Sequence, residues 1–163
     1  MLTSTELKTL LNEIDASFQR ETDNNKSLLW AKIATIEVSG WTEECIDDLF
    51  NTYINSANIR RKNELLQKIE KIYGFHYLND FRNICVQILG NIMFEKIENE
   101  IPAECQHLES ALNMLKTSRD KCAHTHIINK GPIDAPHVSL SYLDKIEVGL
   151  KKFMVELSKV KIN

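Results

Sequence analysis

The sequence predicts an all-α fold, an antiparallel bundle of about seven helices. Three observations carry this. Apolar residues return every three or four positions along nearly the whole chain, the period of a helix with one buried face. Helix breakers are scarce, with 5 Gly and 3 Pro in 163 residues. No stretch alternates apolar and polar residues as a half-buried strand would, and no internal repeat or low-complexity tract interrupts the pattern.

The elements follow in order. Thr3 and Glu6 have capping-box spacing ahead of Leu7, Leu10, Leu11, Ile14 and Phe18, and the polar run from Glu21 to Lys26 ends this first helix. Leu29, Ile33 and Ile36 mark a second, stopped near Ser39-Gly40. Thr42 is placed to cap a third, with Ile46, Leu49, Phe50, Tyr53 and Ile54 on its apolar face. A fourth runs from about Asn63 through Leu65, Leu66, Ile69 and Ile72 to Gly74. The fifth, expected to be the longest, carries Leu78, Phe81, Ile84, Cys85, Ile88, Leu89, Ile92 and Met93. The sixth starts at about Pro102, with Leu108, Leu112 and Leu115 on its stripe. Gly131, Pro132 and Pro136 put a loop over residues 127–138, and Leu140, Leu143, Ile146, Leu150, Phe153, Met154 and Leu157 make the seventh. The fifth to seventh helices have the widest apolar faces and are expected at the centre, with smaller helices of the first half covering one side. Residues 1–163 read as a single domain, since no linker-like segment divides them.

Composition narrows the function. The chain is 43% hydrophobic and 26% charged, as in ordinary globular proteins, with a formal net charge of −3. That excludes binding nucleic acid by bulk positive charge and leaves room for a local basic cleft. No apolar run is long enough to span a membrane, and Met1-Leu2-Thr3-Ser4 lacks a basic-then-apolar signal layout. Cys45, Cys85, Cys105 and Cys122 are scattered through helical patterns and read as reduced, mostly buried thiols of a cytoplasmic protein. There is no Gly-rich phosphate loop or dinucleotide fingerprint.

Charge is unevenly spread. Glu43, Glu44, Asp47 and Asp48 form one acidic patch, and Glu95, Glu98, Glu100, Glu104 and Glu109 another. Arg60, Arg61 and Lys62 open the fourth helix, where a solvated helix start is the plain explanation. Lys116, Arg119, Lys121 and Lys130 gather with His124, His126 and His137 at the end of the sixth.

That end reads Arg119-Asp120-Lys121-Cys122-Ala123-His124. Continuing the stripe of Leu108, Leu112 and Leu115 lands on Arg119, Cys122 and Ala123. A guanidinium there is costly unless an anion meets it, either a carboxylate or a phosphate. Asp120 and His124 are i and i+4 and share a helix face, so the carboxylate can orient the imidazole, or else pair with Lys116. Arg119 and His124 are i and i+5, about 140° apart on an ideal helix, so one face does not bring them together. Cys122 reads as packing rather than as a nucleophile. Cys122, His124, His126 and His137 are the one set to weigh for zinc, but their spacing scatters ligands round a helix, and neither metal nor cofactor is expected. Trp30 and Trp41 suit a core or an interface better than stacking on bases.

An Arg, a polar residue, three variable positions and a His at the end of a helix resemble the R-x4-H motif of the HEPN superfamily, here R-D-K-C-A-H. The helical pattern is similar to that family across nearly the whole chain, and most resembles its RiboL-PSP-HEPN-like branch in prokaryotic defence loci. The resemblance implies a helical-bundle homodimer and metal-independent RNA cleavage. It implies Arg119, His124 and Asp120 as catalytic residues, and Lys116, Lys121, His126 and Lys130 as the neighbours that would meet RNA. It also implies a toxin–antitoxin or antiviral role, with an antitoxin or defence-system protein as partner. In some family toxins a Tyr two residues after the motif His is modified by a nucleotidyltransferase antitoxin. Here that position is His126, after Thr125, so this scheme is not implied. The alternative from another class is a non-catalytic helical module that dimerises or docks a partner, with Arg119 in a structural ion pair.

Overall fold

The computed structural model describes residues 3–56, 62–69, 74–124 and 133–160, with only the backbone for Lys68 and His124. Its helices are α1 (Thr5–Arg20), α2 (Asn24–Ser56), α3 (Lys62–Ile69), α4 (Arg82–Leu89), α5 (Asn91–Glu100), α6 (Pro102–His124) and α7 (Pro136–Lys159), with a π-helical turn, Tyr77–Phe81, leading into α4. The expected all-α bundle is what the chain forms, and among the described residues there is no strand. None of the described helices is long and apolar enough to cross a membrane.

The centre differs from the expected one. The second and third predicted helices are one helix, α2, which at 33 residues is the longest. Its buried face runs from Ala31 to Ile54 and packs on α1, α6 and α7. Gly40 does not stop it. Thr42 caps nothing: its hydroxyl turns back to the carbonyl of Val38 (2.7 Å), as Ser39 does to Thr35 (2.7 Å). A Gly inside a helix costs only about 1 kcal/mol against Ala. Each large apolar side chain buried beyond it returns about 1.5–3 kcal/mol, so the helix continues.

The fifth predicted helix is instead broken in two. Gly90 has φ +79 and separates α4 from α5. Burial explains the break: Cys85 and Phe94 are both fully buried, yet nine residues along a straight helix would set them about 180° apart. The π turn begins where Phe81 donates its N–H to the His76 carbonyl (3.2 Å). It directs Tyr77 and Phe81 inward, and rings from four elements meet there. Phe81 lies 5.7 Å from Phe50 and 5.1 Å from Phe153, and Phe153 lies 6.1 Å from Phe94, between centroids. Tyr77 ties the turn down further, its N–H accepted by Asn113 (3.0 Å) and its hydroxyl donated to Glu98 (2.8 Å).

α6 keeps the bounds the sequence suggested, α7 begins at Pro136, inside the expected loop, and the two pack tightly. A Cβ at position 149 would lie 2.8 Å from Leu108 Cβ, so Gly149 sets how close the two helices come. All four cysteines are free and buried.

The capping box at Thr3 and Glu6 does not form. Ser4 takes the cap position without capping, because its hydroxyl donates to Glu147 of α7 (2.7 Å). Lys8 (2.7 Å) and Lys151 (2.6 Å) complete the shell of this buried carboxylate. Burial alone would raise its pKa, but the hydrogen bonds from Lys151, Lys8 and Ser4 outweigh burial and hold it at about 2 against an ordinary 4.5. The folded value is the lower one. This contribution to stability is therefore complete above about pH 4.5 and lost as pH falls towards about 2. Glu147→Gln should cost about 1.5–3 kcal/mol near neutral pH, the range for a hydrogen bond to a charged group. It should also flatten the acid limb of stability. Urea unfolding across the acid range checks both, and equal slopes for the two proteins would remove Glu147 from the account.

Candidate active site

The last turns of α6 hold the motif. α6 continues as a helix through His124, because its buried side persists to Ser118 and Cys122, 2% and 6% exposed. The predicted stripe is corrected at this point. Ser118 fills the buried position of that turn, Arg119 is half-buried, and Ala123 is exposed. The reason is reach. Arg119 starts on the flank of the stripe, and its long stem carries the guanidinium out to where water still solvates it.

An anion does meet Arg119, and it is a carboxylate. Nη2 lies 3.5 Å from Glu43 Oε1 of α2, and the two side chains are 40% and 36% exposed. This is an ion pair near the surface, with Nη2 the closest nitrogen. Glu43 belongs to the acidic patch on α2. There, burial and then the Glu43 charge raise the carboxyl of Asp47.

Asp120 is held by Lys116 one turn earlier, with Nζ at 2.8 and 2.6 Å from its two carboxylate oxygens. The i, i+4 surface pair is thus the arrangement present. Lys121 is exposed on the next residue. His126 and Lys130, and with them part of the cysteine–histidine set weighed for zinc, lie outside the described residues, as does the His124 side chain. His137 sits on the first turn of α7 and turns to Asp15 of α1 (3.5 Å).

Behind the motif lies a polar cluster that the sequence did not single out. Asp134, just before α7, accepts hydrogen bonds from Ser118 of α6 and from Tyr142 of α7 (3.2 Å). It pins the start of α7 to the turn of α6 that carries Arg119. Burial, then the Asp134 charge and hydrogen bond, raise the pKa of Tyr142. The hydroxyls of Thr35 of α2 and Ser139 of α7 are hydrogen-bonded to each other (3.3 Å). The Cys122 thiol is also raised, by burial first, against the lowering effect of Thr35 and Lys32. A thiol pushed up in this way stays protonated near neutral pH, which suits packing and not nucleophilic attack. Nothing in the pattern marked Glu43 or Asp134 beforehand, since each read as one acidic residue among many.

The site thus offers a partly open guanidinium, a Lys–Asp pair and an exposed Lys on the helix that ends at His124. Comparison with known proteins adds no relative: no family model, curated protein or solved structure matches the chain.

Proposed function

We propose that this protein is a metal-independent endoribonuclease that works as a two-fold dimer, with Arg119 and His124 as its catalytic pair. The observation that carries the reading is Arg119. Glu43 comes no closer than 3.5 Å, at Nη2, and 40% of the Arg119 side chain remains in solvent. A planar fork partly open to solvent suits a phosphate. Lys116 and Lys121 flank it on the same helix, and His126 and Lys130 follow in sequence.

The chemistry needs these residue types. A base takes the proton of the ribose 2'-hydroxyl, whose oxygen bonds to phosphorus. The bond from phosphorus to the 5'-oxygen breaks, and an acid protonates that leaving oxygen. Imidazole titrates nearest neutral pH and serves either role. The guanidinium offsets the charge gained on the phosphoryl oxygens. One His per site is short for two proton transfers, and two copies facing across α6 supply the second. Asp120 assists through its charge and its place four residues before His124.

A nuclease of this kind is restrained until needed, so an antitoxin or a defence-system protein is the implied partner, in the cytoplasm of a prokaryote. The second reading, a non-catalytic helical module, is favoured by the Arg119–Glu43 ion pair itself.

The purified protein should cleave RNA in the presence of a chelator and leave 2',3'-cyclic phosphate and 5'-hydroxyl ends. Cleavage abolished by chelator, or 3'-hydroxyl products, would count against it. Light scattering at micromolar concentration should give the mass of a dimer, and a fully active monomer would remove the shared groove from the mechanism.

A further inference from the structure

Away from the motif, α1 and α2 form a groove that the ribonuclease reading does not use. It has a volume of about 470 Å³ and opens to solvent along one side. Leu7, Leu10, Ile36 and Trp41 make its apolar surface, with Leu10 40% and Ile36 55% exposed. Three carboxylates, Glu6, Glu37 and Glu44, rim it. All three are exposed, and no cation among the described residues pairs with them. The indole nitrogen of Trp41 is buried without a hydrogen-bond partner among the described residues.

Gly40 sits in the groove, and nothing lies within 4 Å of where its Cβ would be. Internal crowding therefore does not require glycine here. A helix-interior glycine that costs stability and faces open space lets another backbone come close.

We propose that this groove docks an amphipathic helix of a partner protein, one with an apolar stripe flanked by Lys and Arg. A trough between two antiparallel helices takes a third laid along it. Charge selects the occupant. An acidic rim repels RNA and anionic lipid, which excludes both as the bound surface. A second copy bound through the same face would set three carboxylates against three. A cationic flank neutralises the rim, while Leu-sized side chains cover Leu10 and Ile36. The inference is independent of the ribonuclease reading, because no residue of the groove belongs to the motif.

The test uses the whole protein and a dye-labelled synthetic helix with Leu at i, i+3 and i+7 and Lys on both flanks, followed by fluorescence anisotropy. Saturable micromolar binding is expected, absent for the same peptide with Glu in place of Lys. Gly40→Met fills the groove, and Glu37→Gln with Glu44→Gln strips most of the rim. Each should weaken binding about tenfold, and the double variant should also lose salt dependence. Circular dichroism verifies that each variant folds, and the rim variants, being on the surface, keep the test open if Gly40→Met does not fold. Equal binding by wild type and the rim variants would overturn the proposal. So would equal binding of the acidic peptide, or a wild-type dimer that Gly40→Met splits into monomers, which would give the groove to a second copy.

Discussion

His124→Ala should lower the rate of RNA cleavage at least about a hundredfold, the low end of what general acid–base catalysis contributes. That is about 2.7 kcal/mol of barrier, far above the scatter of a rate measurement. His124 is the last residue of α6, two beyond Cys122, the last buried position among the described side chains of that helix. The substitution also leaves the Arg119–Glu43 and Lys116–Asp120 pairs in place. Melting temperatures recorded alongside separate a loss of chemistry from a loss of fold. Lys116 already holds both oxygens of Asp120, so Asp120→Asn should cost much less than His124→Ala. A His124→Ala protein as active as wild type would remove the proposed mechanism.

The helical period was legible wherever it ran in phase, and it failed where glycine had to be interpreted. α6 and α7 carry uninterrupted stripes, and both were legible as helices, although α7 starts at Pro136, earlier than its stripe showed. The sequence reading stops a helix at Gly40 and runs one through Gly90, and each glycine acts in the opposite way. Around Gly40 the buried positions Val38, Trp41 and Cys45 keep one helical phase, so the chain runs straight through. Around Gly90 the phase reverses between Cys85 and Phe94, and only a break buries both. Following the phase across Gly40, instead of stopping at it, would have identified α2 as the long central helix. The failed capping box has another cause. Ser4 is claimed by Glu147, 143 residues away, and no local pattern announces so distant a partner.

The candidate site was legible in part for the same reason. Local spacing placed Lys116 beside Asp120, and Arg119 stood out as a charge on an apolar stripe. That its partner is Glu43, brought in by the packing of α2 on α6, is a tertiary fact. So is the link from Ser118 and Tyr142 to Asp134. Sequence shows which residue breaks a pattern but not which residue answers it.

Arg119 separates the two functional readings, because they assign its value to different measurements. In the scaffold reading it serves the bundle through Glu43. Both side chains are more than a third exposed, and a surface pair of that kind contributes about 0–1 kcal/mol. Arg119→Lys keeps the charge, so it should leave stability almost unchanged in either reading. In the ribonuclease reading the planar fork spans two phosphoryl oxygens in the transition state. An ammonium cannot reproduce that contact, and cleavage should fall about a hundredfold with little change in melting temperature. Glu43→Gln sharpens the test. It removes the anion that competes with phosphate for the guanidinium. RNA binding should therefore tighten, lowering KM rather than raising kcat, since the added attraction acts on ground state and transition state alike. Full activity in Arg119→Lys would reduce Arg119 to a point charge. A Glu43→Gln protein that loses kcat would instead make Glu43 the residue that positions the fork, and the ion pair part of the catalytic arrangement.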